Sequence, residues 1–160
     1  IVNNKPGVLN RVASLMRARS FNIESLAVSV TERPDASRMT IAIIGDEVQV
    51  EQATKQLYKL IDVLKVQDLT SESIVEHELA LVKVRASVRT RAEVVSIAEM
   101  HRGRVVDLTD ESAIIEVVGE PAEVDRMVEL LRGFGIKELV RTGSVVMSRG
   151  SGSIEEQVKR

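Results

Sequence analysis

The sequence contains no cysteine and no tryptophan, and its aromatic rings are those of Phe21, Tyr58 and Phe134. Without cysteine there is no disulfide framework and no thiolate chemistry. With so few rings, the core has to be assembled from Val, Ile, Leu, Ala and Met. No apolar run approaches the roughly 20 residues that cross a bilayer as a helix, and no stretch reads as a signal peptide, so a cytoplasmic location is expected. The chain opens at Ile1 without an initiator methionine, and its natural start is expected further upstream. A formal net charge of -2 provides no global attraction to nucleic acid or to an anionic membrane. There is no G-x-x-x-x-G-K phosphate loop, no nucleophile motif and no singled-out carboxylate pair. No catalytic residue is therefore assigned, and no metal or cofactor is expected on this chain.

What is present is an ordinary globular mixture, 44% hydrophobic and 29% charged over 160 residues, and a pattern that occurs twice. Ile1 and Val2 read as the end of a strand, and residues 3–7 as a turn rich in Asn, Pro and Gly. Val8, Leu9, Val12, Leu15 and Met16 follow at helical spacing. Apolar alternation then predicts strands over 23–31 and 39–44, joined by a hairpin at 32–37. A second helical stripe runs through Val50, Ala53, Leu57, Leu60, Ile61 and Leu64, and a short strand over 63–69 is expected to close the unit. After a polar linker at 70–77 the order repeats. A strand spans 79–86, a helix carries Val94, Ile97, Ala98 and His101 and stops at Gly103, and strands cover 105–108 and 113–118. Pro121 opens a helix that ends at Gly133 and Gly135, and a last strand spans 136–141 with an extension over 145–147.

The fold class expected is therefore α+β: two ferredoxin-like βαββαβ domains, each an antiparallel sheet with helices on one face. The bounds are 1–71 for the first domain, 72–148 for the second and 149–160 for a mobile Gly-Ser-rich tail. A small domain buries too little to leave a sheet face and edges bare, so a homodimer is expected.

The loop before the first helix is the most informative segment. Gly7 allows backbone amides to approach a ligand, and the first turn of the helix offers free N–H groups and a positive dipole end suited to a carboxylate. The amide of Asn4 can donate to one end of a free amino acid and accept from the other. On spacing alone a plain turn with a helix cap accounts for the same residues, and both readings stand. Asn22 on its own reads as a polar residue at a strand start.

Asn-Lys-Pro-Gly-Val-Leu at 4–9, followed by Phe-Asn-Ile-Glu-Ser-Leu at 21–26, resembles the ACT domain, a small-molecule sensor. A longer ordered series is similar to the acetolactate synthase (acetohydroxyacid synthase) small regulatory subunit family. It runs through Ser-Arg-Met-Thr-Ile at 37–41, Gly-Asp-Glu at 45–47, Gln-Leu-Tyr-Lys-Leu at 56–60, Glu-Leu-Ala-Leu-Val-Lys-Val at 78–84, Arg102-Gly103, Val106-Asp107, Arg141-Thr142-Gly143 and Ser148-Arg149-Gly150. The resemblance implies an N-terminal ACT domain and a partner, the catalytic large subunit, which holds thiamine diphosphate, Mg and FAD. It implies that the small subunit activates that partner and confers feedback inhibition by valine, with leucine or isoleucine as further effectors, in branched-chain amino acid biosynthesis. By matching positions the effector site comprises Asn4, Gly7, Val8 and Leu9 from one chain and Asn22 and Ile23 from its partner in a dimer. The pattern departs at Asn3, which is neutral where the family often has an acidic residue.

Other functions fit less well. Glu76, His77 and Glu78 invite a metal site, but neighbours on an extended chain point to opposite faces. An RNA-recognition module shares the topology, yet its central strands carry stacking aromatics and these do not. A stand-alone ACT sensor acting on a different enzyme is the alternative reading.

Overall fold

The computed structural model describes residues 1–158. Two compact units result: Ile1–Val75 together with the segment from Val146 onward, and Glu76–Val145.

In the first unit, β1 (Val2–Asn3) leads through the Asn/Pro/Gly turn into α1 (Val8–Ala18), then β2 (Asn22–Val30), β3 (Ala36–Ile44) and α2 (Glu47–Leu57). The sheet order is β1-β3-β2, all antiparallel. Period-2 alternation puts Ile23, Met39, Ile41 and Ile43 on the face covered by the helices, against Val12 and Met16 of α1 and Ala53 and Leu57 of α2. Among the described residues β2 is an edge strand, paired with β3 alone. α1 ends on a left-handed residue, Ser20 (φ 57°), with the Phe21 N–H donating to the Met16 carbonyl at 3.0 Å. This hydrogen-bonded reversal satisfies carbonyls at the helix end.

Two expectations fail here. The stripe through Leu64 does not continue as helix: α2 stops at Leu57, and Ile61 is 94% exposed. Lys59 and Leu60 instead donate backbone N–H bonds to Gln56 and Leu57, three residues back, which tightens the exit into turns. The closing strand is reduced to one antiparallel bridge, Val63 with Val2, because β1 itself is only two residues long.

The second unit contains β4 (Ile74–Arg85, from Glu76 on), α3 (Arg91–Met100), β5 (Arg104–Leu108), β6 (Ser112–Gly119), α4 (Pro121–Arg132) and β7 (Ile136–Arg141); the following β8 (Val145–Ser148) belongs to the first unit from Val146 on. The order is β5-β6-β4-β7, with β8 also pairing β4. Ala80, Val82 and Val84 of β4 and Ala113, Ile115 and Val117 of β6 form the inner face. Val94 and Ala98 of α3 and Val124, Met127 and Leu131 of α4 close over them, and most of these side chains are fully buried. α3 ends as α1 does, on left-handed Arg102 (φ 58°), with the Gly103 N–H donating to the Ala98 carbonyl at 2.7 Å. Antiparallel sheets with helices on one face thus hold for both units.

The expected linker at 70–77 is partly strand, since β4 begins at Ile74. Within the stretch expected as a mobile tail, some of the described residues have packing partners. Ile154 and Val158 lie against Ile1, Ala36 and Leu64, and the Arg149 N–H donates to the Ser73 carbonyl at 2.8 Å. The tail's last two positions, 159–160, lie outside the described residues.

Candidate effector-binding loop

The turn at 4–7 is held on two sides. The Asn4 N–H donates to the Asp35 carbonyl at 2.8 Å, and its side-chain Nδ2 donates to the Pro34 carbonyl at 2.9 Å, both in the β2–β3 hairpin. On the other side, the Asn3 N–H reaches the Asp62 carbonyl at 2.8 Å and Asn3 Nδ2 reaches Asp62 Oδ1 at 3.3 Å. Asp62 Oδ2 pairs with the Arg11 guanidinium of α1 at 2.5 Å. The Asn3 amide, and after it Arg11, hold the Asp62 carboxyl below the ordinary aspartate value against the opposing effect of burial.

Gly7 occupies the N-cap position of α1 with φ 82° and ψ -7°. A Cβ there would meet nothing closer than Arg11 Nη1 at 3.8 Å, so the backbone angle, not crowding, calls for glycine. α1 has no side-chain cap and no acidic residue in its first turn. The other helices differ. Asp46 and Gln49 form a reciprocal capping box on α2, Glu123 accepts from the Glu120 N–H on α4, and α3 carries Glu93 in its first turn. Among the described residues, α1 alone starts without a carboxylate or a side-chain cap, leaving its positive end uncompensated.

The structure separates the six sequence-derived positions into two groups. Asn4, Gly7, Val8 and Leu9 sit at the N-terminal end of α1, with Leu9 exposed and Val8 turned inward and buried. Asn22 and Ile23 begin β2 at the opposite end of α1, about 16 Å away for eleven residues at 1.5 Å each. Asn22 is exposed beside Ile44, while Ile23 packs against the first core. One chain therefore does not bring the two groups together. Asp62 and Arg11, which brace the loop, carry no short-range sequence signal, since 51 residues separate them.

Among the described residues no group of three or more His, Cys, Asp or Glu is arranged to hold a metal. His77 and Glu78 are consecutive in β4, the former exposed and the latter buried against Arg141. Among the described residues no helix is long and apolar enough to cross a membrane.

Residues 1–65 match the family model described as the AHAS small subunit-like ACT domain, and residues 77–150 match the model of the small subunit of acetolactate synthase. A probable acetolactate synthase small subunit of Archaeoglobus fulgidus is 53% identical over 151 residues, covering 94% of each chain. The acetolactate synthase small subunit of Aquifex aeolicus is 49% identical over 157 residues, covering 98% of this chain and 82% of the relative. The crystal structure of the acetolactate synthase small subunit from Thermotoga maritima superposes with a TM-score of 0.86 at 41% identity, covering 94% of each chain. With both units matched and the fold shared along nearly the whole length, this chain belongs to the family of acetolactate synthase small subunits.

Proposed function

We propose that this chain is a cytoplasmic regulatory subunit that activates the catalytic large subunit of acetolactate synthase and makes it sensitive to valine. Thiamine diphosphate, Mg and FAD belong to that partner, and this chain contributes no catalytic residue. The observation that carries the effector reading is the uncompensated start of α1 on left-handed Gly7, in the unit that matches the ACT family. Its free amides suit the carboxylate of an amino acid. With Nδ2 engaged by Pro34, the Asn4 Oδ1 is the atom that accepts from the ammonium group. Exposed Leu9 offers apolar contact to an aliphatic side chain. Such contact separates one methylene by only about 1–3 kcal/mol, so leucine and isoleucine bind as well.

A homodimer completes the site. β2 is a free edge strand that carries Asn22 and Ile23, far from the loop in its own chain, so a second copy has to supply them. Valine then favours whichever arrangement of the pair binds it more tightly, and the large subunit responds to that arrangement. The match of both units to one family argues against a stand-alone ACT sensor with another enzyme partner.

Reconstitution tests this reading. Adding the chain to the large subunit is expected to raise acetolactate formation, and valine to lower it. Asn4→Ala and Gly7→Asp are expected to abolish the response to valine while leaving folding and activation intact. Full valine sensitivity in both folded variants would remove the loop from the site, and no activation by the parent chain would end the regulatory reading.

A further inference from the structure

The second unit contains a groove of about 670 Å³, within the usual range for small-molecule sites. It is lined by Arg85, Ser87, Thr90, Glu93, Ile97, Leu130, Gly133 and Phe134. Its position repeats that of the loop described above. β4 runs into a loop and then α3, as β1 runs into a loop and then α1, and the groove opens beside that strand-to-helix loop and the end of α4.

The lining divides by chemistry. Arg85 and Glu93 carry opposite charges, and among the described residues neither forms an ion pair, with each other or with another side chain. The stem of Arg85 lies across Gly135, where an added Cβ would stand 3.4 Å from its Cδ. Glu93 and Ile97 are four residues apart on α3 and share one face. Ile97, Leu130 and Phe134 supply an apolar surface. Ser87 and Thr90 are tied together, the Ser87 N–H donating to Thr90 Oγ1 at 3.1 Å, which fixes the loop.

We propose that this groove is a second amino-acid site, in which Arg85 takes the carboxylate of an α-amino acid, Glu93 takes its ammonium group, and Ile97, Leu130 and Phe134 receive a short apolar side chain. A guanidinium binds a carboxylate in a fork of two N–H donors, and a carboxylate accepts from an ammonium. A purely anionic ligand meets repulsion from Glu93, and a purely cationic one meets repulsion from Arg85. A zwitterion with an apolar tail satisfies both. The site lies wholly within residues 76–145 and does not depend on the loop at 4–7.

The test is a titration of the full chain, followed by amide NMR, with L-valine, L-leucine and L-methionine as probes. Isovalerate, which lacks the ammonium group, and isobutylamine, which lacks the carboxylate, are the controls. Saturable shifts at Ser87, Thr90 and Phe134 are expected with at least one amino acid, and at least tenfold weaker responses with both controls. Arg85→Ala and Glu93→Gln are each expected to weaken the groove response at least tenfold without changing shifts at Asn4 and Gly7. In Gly7→Asp the loop response is expected to disappear and the groove response to persist. Loop shifts without groove shifts overturn this site alone, and groove shifts without loop shifts overturn only the site in the first unit. Groove shifts that survive both Arg85→Ala and Glu93→Gln, or that vanish in Gly7→Asp, also overturn it.

Discussion

Asp62 receives Arg11 on one carboxylate oxygen and Asn3 on the other, so a residue beyond α2 sets both where β1 ends and how α1 is oriented. Because its carboxyl is held below the ordinary value, its contribution to folding is complete above that value and is lost as pH falls through the lower, folded one. Asp62→Asn is expected to lower the melting temperature at pH 7 and to leave it close to that of the parent chain well below pH about 4. Melting curves across this range decide the matter; a gap that stays constant with pH rules out the ionised carboxylate as its source.

Gly7→Ala places a Cβ on a left-handed residue, at a cost of about 1–2 kcal/mol. Since the space around Gly7 is open, the loss comes from backbone strain alone. Gly7→Asn, which tolerates this conformation better, is expected to lose less than Gly7→Ala. Urea unfolding of the three proteins tests the order.

Gly103 is a different case. A Cβ there would stand 2.9 Å from Met127 Cε and 3.3 Å from the carbonyl oxygens of Ala98 and Glu116. Gly103→Ala is expected to destabilise by about 1–3 kcal/mol through overpacking. Met127→Ala alone leaves a cavity in the second core and costs about 2–5 kcal/mol. The double variant should lose less than the sum, because the cavity relieves part of the crowding; strict additivity would show that the backbone contacts, not Met127, set the penalty.

Arg141 donates to Glu78, whose side chain is 5% exposed, and to Asp125. The Glu78 carboxylate is the main cause that raises the guanidinium above its usual value. Arg141→Met leaves that carboxylate buried without its partner, an arrangement that costs about 3–5 kcal/mol, with the lower end expected for a pair open to water on one side. Adding Glu78→Gln is expected to recover part of the loss in denaturant unfolding. No recovery would mean that Arg141 acts through packing rather than charge.

The legible parts of this chain are those in which local pattern and tertiary packing agree. Val12, Leu15 and Met16 announce α1, and the alternation of Met39, Ile41 and Ile43 announces β3, because the same residues build the core. Leu60, Ile61 and Leu64 continue the helical spacing past Leu57, but the helix ends there: Leu60 still packs on the first core and Leu64 against Ile1 and Ala36, while Ile61 is left exposed, so their burial comes from tertiary position and not from a helical stripe. In the loop, Gly7 could be read because its residue type reports a backbone angle. Arg11 and Asp62 could not, since an ion pair between distant positions has no local pattern. The groove in the second unit stayed hidden for the same reason: Glu93 and Phe134 become neighbours only once α3 and α4 have packed.

The division of the chain has a consequence for synthesis. The second unit is contiguous from Glu76 to Val145, whereas the first needs residues from Val146 onward to cover Ile1, Ala36 and Leu64. On a ribosome the first unit's main core, built from residues between Val12 and Val66, emerges before the second unit. The first unit's smaller cluster around Ile1, Ala36 and Leu64 stays uncovered until Ile154 and Val158 emerge. The loop at 4–7, which follows directly on Ile1 and Val2, thus adjoins the last patch of the first unit to be covered.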